Sequence, residues 1–376
     1  MARLRLKSGD VSIGKPLPFA LMDSGGRTLL SIGYVIPNDS QLERLIERGV
    51  FFDAFDDEVG AHQLVEHVSV YRLVIAVAEE YQTLLAVPPD ITILPRLEAV
   101  AGEISKLCAL DADAALAFIL LHKDARYSIR HAFAAAILTE VLMRELKQSA
   151  DDVRRAVMGA LAMNLCMLEL QDDLYRQEVA LTLEQKQSIV LHPQRASRLL
   201  AECGCTDAAL LGIVEDHHET INGAGYARRK KAPDLPLAAQ VVSLADRYCA
   251  VVSERAYRAA TPPNIAAREL LSRQAATIDT LLSAHFIKVI GIYPPGAVVT
   301  LANGETAVVV RRTLHPVQPV VRSLRSRSGV RYPEPPKRLT SKESFSITDT
   351  ASPDHLKGVD LASLWPPVEE SADGEG

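Results

Sequence analysis

Aromatic residues make up only 5% of the chain, against 48% apolar residues overall. That balance points to an Ala- and Leu-rich helical interior. No stretch approaches the roughly 20 apolar residues of a membrane span, so none is expected. Positive charge is not in excess either. The formal net charge is −6, so there is no basic field to gather a nucleic-acid backbone, and DNA is not an expected partner. A small anionic ligand would need local Arg or Lys. The five cysteines, Cys108, Cys166, Cys203, Cys205 and Cys249, are odd in number and form no paired CxxC framework. They read as reduced thiols filling a core. The opening MARLRLKSGDVSIG holds no apolar region of signal-peptide length. A cytoplasmic location is expected.

The 376 residues allow two or three domains. Residues 1–55 read as a small α+β module, with a hairpin turn at Asp23-Ser24-Gly25-Gly26. Ser40 stands three residues before Glu43, a capping-box spacing that opens a short helix ended by Gly49. Residues 56–93 read as a connector containing the break VPPD. From 94 to 287 apolar residues recur near 3.6 spacing, which predicts helices over 94–110, 112–122, 128–146, 152–170, 182–201 and 208–218. Another opens at Pro236 and one follows Pro262-Pro263. This is a mainly α helical bundle with a core of its own. From 288 to 350 the signals change to strands, and Asn303-Gly304 marks a hairpin in a small β-rich module. Residues 351–376 are expected to form a largely disordered tail.

The most informative stretch is Asp216-His217-His218-Glu219-Thr220-Ile221-Asn222-Gly223-Ala224-Gly225-Tyr226. Adjacent imidazoles suit a divalent transition metal. Glycines let the backbone turn sharply and approach a ligand. An apolar helix explains neither. Elsewhere stand His131, His192 before Pro193, and Asp246. Each alone has an ordinary structural reading: His131 as a hydrogen-bonded core residue, His192 as a helix-end residue, and Asp246 as a partner of the adjacent Arg247. Their joint order and spacing point to a metal.

HHExxxGxGY together with HP, LAD and ERAYR resembles the HD-GYP phosphodiesterases, which hydrolyse cyclic di-GMP and usually read HHExxDGxGYP. Asn222 stands where that family has Asp, and Ala227 where it has Pro. The resemblance covers about 120–260 and implies an HD-domain helical bundle. It also implies metal ligands at His131, His192, His217, His218 and Asp246. The HD pair that supplies two further ligands is replaced: Met163 stands for the His, Asn164 for the Asp and Met167 for the Lys. In this family two ions, usually iron or manganese, activate water for in-line attack on a phosphodiester. A carboxylate bridges them because it has two anionic oxygens. Asn164 has one neutral carbonyl oxygen, Met163 only a thioether, and Met167 no charge for a phosphate. Met163, Cys166 and Met167 read most simply as apolar fill on a buried helix face. His192, His217 and His218 resemble one family site without its bridge. His131 and Asp246 resemble the other, short of its second His as well. One ion or none is the expected content. Tyr127, four residues before His131, stands where some relatives carry a Glu for a third metal.

The run Arg228, Arg229, Lys230 and Lys231 has two readings, a solvated loop or a lure for a dinucleotide's phosphates. Arg255 and Arg258 divide the same way. Gly223, Gly225, Tyr226, Arg228, Arg229, Arg255 and Arg258 form the candidate ligand-binding set. Glu219 suits acid/base work or turn capping. The reading is a bacterial-type protein of cyclic di-GMP signalling with a degenerate site at Met163, Asn164 and Met167. It would bind the dinucleotide, or a protein partner through the GxGY surface, with little or no hydrolysis. The alternatives are an active metal phosphodiesterase, with Glu169 or Asp172 recruited as a ligand, and a metal-free scaffold.

Overall fold

The computed structural model describes residues 3–53, 68–226, 228–254, 256, 260–273 and 277–367. The chain is mainly α, with two small antiparallel sheets. The first sheet, in the order β1-β4-β2-β3, is built from β1 (Arg3–Arg5), β2 (Leu21–Met22), β3 (Thr28–Leu30) and β4 (Phe51–Asp53). Asp23 Oδ1 closes the β2–β3 turn by accepting from Gly25 N and Arg27 N. Helix α1 (Asp39–Glu47) is capped by Asn38, whose side chain accepts from Gln41 N. The expected Ser40 cap therefore lies inside the helix, because Asn38 offers its oxygen two residues earlier. Phe19 and Phe52 stack 3.9 Å apart and join this module's interior to the main core.

Residues 70–84, read from sequence as connector, form α2 (Val70–Leu84), a largely buried helix packed on α3 (Ile93–Leu121). Residues 54–67 of that stretch lie outside the described set. The backbone of α3 breaks at Asp111, whose Oδ1 accepts from Asp113 N and Ala114 N as an internal cap. The sequence places a boundary between helices at this residue.

The axis of the bundle is α4 (Tyr127–Glu145), buried at every position from 127 to 143. A helix apolar nearly all round belongs inside a core. It packs against α2, α3, α5 (Ala150–Ala162), α6 (Leu168–Arg176), α9 (Leu237–Val252) and α11 (Thr280–Ile290). Around it run α7 (Leu183–Glu202), α8 (Ala208–Asp216) and α10 (Pro263–Arg273). Helix α5 ends at Ala162, so the single helix expected over 152–170 is two helices joined by a turn. Among the described residues no helix is long and apolar enough to cross a membrane.

The second sheet has the order β8-β7-β6-β5-β9, from β5 (Val298–Leu301), β6 (Thr306–Arg311), β7 (Val320–Arg325), β8 (Lys337–Leu339) and β9 (Ile347–Thr350). Gly304, at φ 84°, makes the β5–β6 turn. The sheet is tied to the break in α3: Arg311 pairs with Asp111 at 2.9 Å and Arg312 with Asp113. Residues 351–367 are not a disordered tail. They carry two 3-10 turns, and buried Trp365 donates to Val310 O at 2.9 Å and stacks on Tyr71. Residues 368–376 lie outside the described set.

One buried carboxyl, Glu103 on α3, faces Glu80 on α2. Burial first, and then the Glu80 charge, push the Glu103 carboxyl up to about 8. In the unfolded chain it titrates near its ordinary value of about 4.3. The folded state therefore keeps a proton that the unfolded state has lost, and stability falls as pH rises through that window. Glu103→Gln is expected to stabilise the protein by about 1–3 kcal/mol at pH 9 and far less at pH 5, read by urea unfolding. The same difference at both pH values would show that the carboxyl is not protonated in the fold.

Candidate functional site

The three histidines His192, His217 and His218 converge, with one ring nitrogen of each within 4.8 Å of the others. Two local features aim them. Pro193 has no N–H, so the carbonyl of Ile189, four residues earlier, loses its helical partner. His192 Nδ1 donates to that oxygen at 2.6 Å. At the end of α8 the Val214 carbonyl is one of the last-turn acceptors that a helix cannot satisfy. His217 Nδ1 donates to it at 2.7 Å. Both imidazoles thus carry their proton on Nδ1, and their Nε2 lone pairs face each other at 3.1 Å. Two bare lone pairs at that distance repel. A cation about 2.0–2.1 Å from each nitrogen would satisfy both, and a backbone carbonyl behind each ring is the usual outer support of a metal-ligating histidine. The residues therefore fit one ion.

Burial lowers the pKa of all three. For His192 burial and the neighbouring His217 bring it to about 3, and His217 and His218 are also held below the usual range. All three are neutral at pH 7, the form that binds metal. His218 stacks on Tyr226, with ring centroids 4.7 Å apart.

His131 and Asp246 form the other half. His131 on α4 is 3% exposed, and its Nε2 lies 2.7 Å from Asp246 Oδ1 on α9. Asp246 Oδ2 lies 3.9 Å from His218 Nδ1. Burial alone would raise the Asp246 carboxyl, but the hydrogen bond from His131, with the electrostatic influence of the surrounding imidazoles, holds it well below the usual carboxylate range. The expected alternative, Asp246 paired with Arg247, is not the arrangement seen: Arg247 Nε donates to Ser243 O at 3.1 Å. Tyr127 OH stands 3.5 Å from His131 Nδ1, as the four-residue spacing predicts.

Met163 is fully buried at the C-cap of α5, and Asn164 is 3% exposed in the turn that follows. Met167 is the N-cap of α6. Cys166 Sγ donates to His192 O at 3.2 Å, which places this turn beside the histidines. Neither suggested substitute ligand belongs to the histidine cluster. Asp172 accepts from Ser128 N at 2.8 Å and from Arg126 Nε at 2.7 Å, capping α4, and Glu169 is exposed.

The loop after His218 is clamped from within. Glu219, 1% exposed, accepts from Arg228 N and Lys230 N, which is a capping role rather than acid/base chemistry. Buried Asp216 pairs with Arg228 at 2.5 Å and Lys230 at 2.6 Å. Of these two cations only Arg228 belongs to the candidate ligand-binding set, and a buried carboxylate already holds it. Arg229 and Lys231 remain exposed. A Cβ on Gly225 would come within 2.5 Å of His218 O, a backbone atom, so only glycine fits there. Gly223 has φ 76°, which favours glycine. Asn222 accepts from Ala224 N and Thr220 Oγ1, a local turn role. Ala227, Arg255 and Arg258 lie outside the described residues.

Residues 117–282 match the family described as HD domain. By that match this stretch is an HD domain. The chain's tandem histidines and GxGY loop, together with the relatives it matches, support an HD-GYP family member. It is 28% identical to a cyclic di-GMP phosphodiesterase of Pseudomonas aeruginosa over 71% of this chain and 63% of that protein. A 3′3′-cGAMP-specific phosphodiesterase of Vibrio cholerae is 25% identical over 45% of this chain and 36% of its own length. The cyclic di-GMP phosphodiesterase PdeB of Borreliella burgdorferi is 22% identical over 50% and 49%. The chain spans less than two thirds of the length of these relatives. Among solved structures it is similar to an HDGYP protein from Bdellovibrio bacteriovorus, at TM-score 0.49 and 14% identity, covering 76% of this chain and 98% of that one.

Elemental analysis of protein purified without chelator is expected to give one ion or fewer per chain. His192→Ala and His217→Ala should each abolish it, and His131→Ala should leave most of it. Two tightly bound ions per chain would refute a single three-histidine site.

Proposed function

We propose that this protein acts in cyclic di-GMP signalling, binding the dinucleotide at a three-histidine metal centre with little or no hydrolysis. One observation carries the reading. The three imidazoles are aimed and neutral, while the position beside them that the family fills with a bridging carboxylate holds Asn164, and its phosphate-facing Lys is Met167. His192, His217 and His218 would hold a divalent ion, iron or manganese by family resemblance. Such an ion supplies Lewis acidity toward a phosphodiester oxygen. The other half has few ligands to offer. Asp246 Oδ1 is engaged with His131, and the nearby carboxylate of Asp172 is committed to capping α4. The chain's own groups then bind and orient: the rigid GAGY loop closes one side, and exposed Arg229 and Lys231 lend positive charge at its edge. A cytoplasmic location belongs to the same reading.

A second reading is an active phosphodiesterase, favoured by the names of the relatives. The internally clamped GAGY loop also suits a rigid surface for a protein partner. Restoration separates binding from hydrolysis. Met163→His, Asn164→Asp and Met167→Lys together, with added Mn or Fe, are expected to raise cyclic di-GMP turnover well above wild type. Asn164→Asp alone should do little, because a bridge without enough terminal ligands cannot hold two ions. The triple variant should be less stable without metal, since charge enters buried positions now filled by Met, and regain stability as metal is added. Equal turnover in wild type and triple variant, or a wild type already turning over at about 1–10 per second, would overturn the proposal.

A further inference from the structure

Arg130 immediately precedes His131 on α4 and is 8% exposed. Its guanidinium lies 5.2 Å from the ring centroid of Tyr127 and 5.1 Å from that of Tyr175. Those rings stack on each other 4.6 Å apart. The Nε is buried without a hydrogen-bond partner, and among the described residues the side chain forms no ion pair. A guanidinium carries five N–H donors and stays charged in proteins. Burying one without an anion is costly, and contact with aromatic faces offsets only part of that cost. Arg130 and His131 share a cavity with Phe118, His122 and Ser253. Its volume is ≈ 10 Å³, about the room that one water, or one oxygen of an oxyanion, requires.

We propose that Arg130 is an anion-binding residue of this site, taking an oxygen of a ligand phosphate beside His131. It would supply, from α4, the positive charge that Met167 does not. The two tyrosine rings hold the guanidinium in place, and its planar fork suits a phosphate's paired oxygens better than a mobile ammonium does. The inference rests on the dinucleotide reading above for the identity of the phosphate, and its test separates the two.

Isothermal titration with cyclic di-GMP, and with inorganic phosphate against chloride at matched ionic strength, compares wild type with Arg130→Met and Arg130→Lys. Arg130→Met is expected to weaken both probes at least tenfold, and Arg130→Lys severalfold, because Lys keeps the charge but lacks the fork. Without ligand, Arg130→Met should unfold at the same urea concentration as wild type or higher, since it removes an uncompensated charge. A residue that only stacks would show the reverse, lost stability with unchanged affinity, and that result would overturn the assignment while leaving the dinucleotide reading intact. Should Arg130→Met not fold, wild-type affinity in Arg130→Lys overturns it equally. Phosphate binding that depends on Arg130, with no binding of cyclic di-GMP, would support the anion site and remove the dinucleotide. A wild type that binds neither probe overturns both.

Discussion

Pro193 has no N–H to give to the Ile189 carbonyl, and that missing helical bond sets the direction of His192. The end of α8 does the same for His217 through the Val214 carbonyl. In each case a backbone acceptor left over by a helix fixes an imidazole tautomer, and the two Nε2 atoms are brought face to face. The centre therefore rests on two defects in helical hydrogen bonding. Neither needs a carboxylate, so the aim of these two imidazoles is independent of what stands at 163 and 164.

Most of the fold was legible in the chain. The 3.6-residue period marks the helices because each lays one face on a neighbouring helix, and Asp111 marks a break because its short side chain caps the helix that restarts after it. The tetrad Tyr127–His131 was legible for the same reason, since four residues bring side chains to one helix face. Gly225 was read as an approach to a ligand, and the atoms it comes close to are the chain's own backbone at His218 to Thr220. What sequence misplaced depends on distant partners or on which of two caps wins. Asn38 rather than Ser40 caps α1. The end of α5 at Ala162 has no Gly or Pro to announce it. Trp365 looked like part of a loose tail because its partners, Val310 and Tyr71, are 55 and more residues away.

The basic run shows the same limit in charge. Four successive cations read either as a solvated loop or as an attractor for phosphate, but Asp216 lies at the end of a helix and is 1% exposed. A carboxylate so deeply buried requires pairing, and Arg228 and Lys230 provide it. Glu219 fixes the same segment through backbone N–H groups. The charges hold the loop to the bundle before any ligand arrives. Sequence shows the four cations together but not the carboxylate that claims two of them.

Charge on the two sides of the site is unevenly settled. On the Asp246 side the carboxylate is hydrogen-bonded by His131, and burial is outweighed by the surrounding imidazoles. On the three-histidine side the ligands are neutral and no anion stands among them. A single divalent ion there would bring two positive charges into an interior where the Asp246 carboxylate stands 3.9 Å from His218. A second ion would double that charge with no added anion, since Asn164 is neutral. Low dielectric strengthens the repulsion between two such ions, so a neutral side chain at 164 would limit metal count before it limited chemistry. A phosphate-bearing ligand would restore the balance from outside, which ties ligand binding in this chain to the charge that its own residues leave uncompensated.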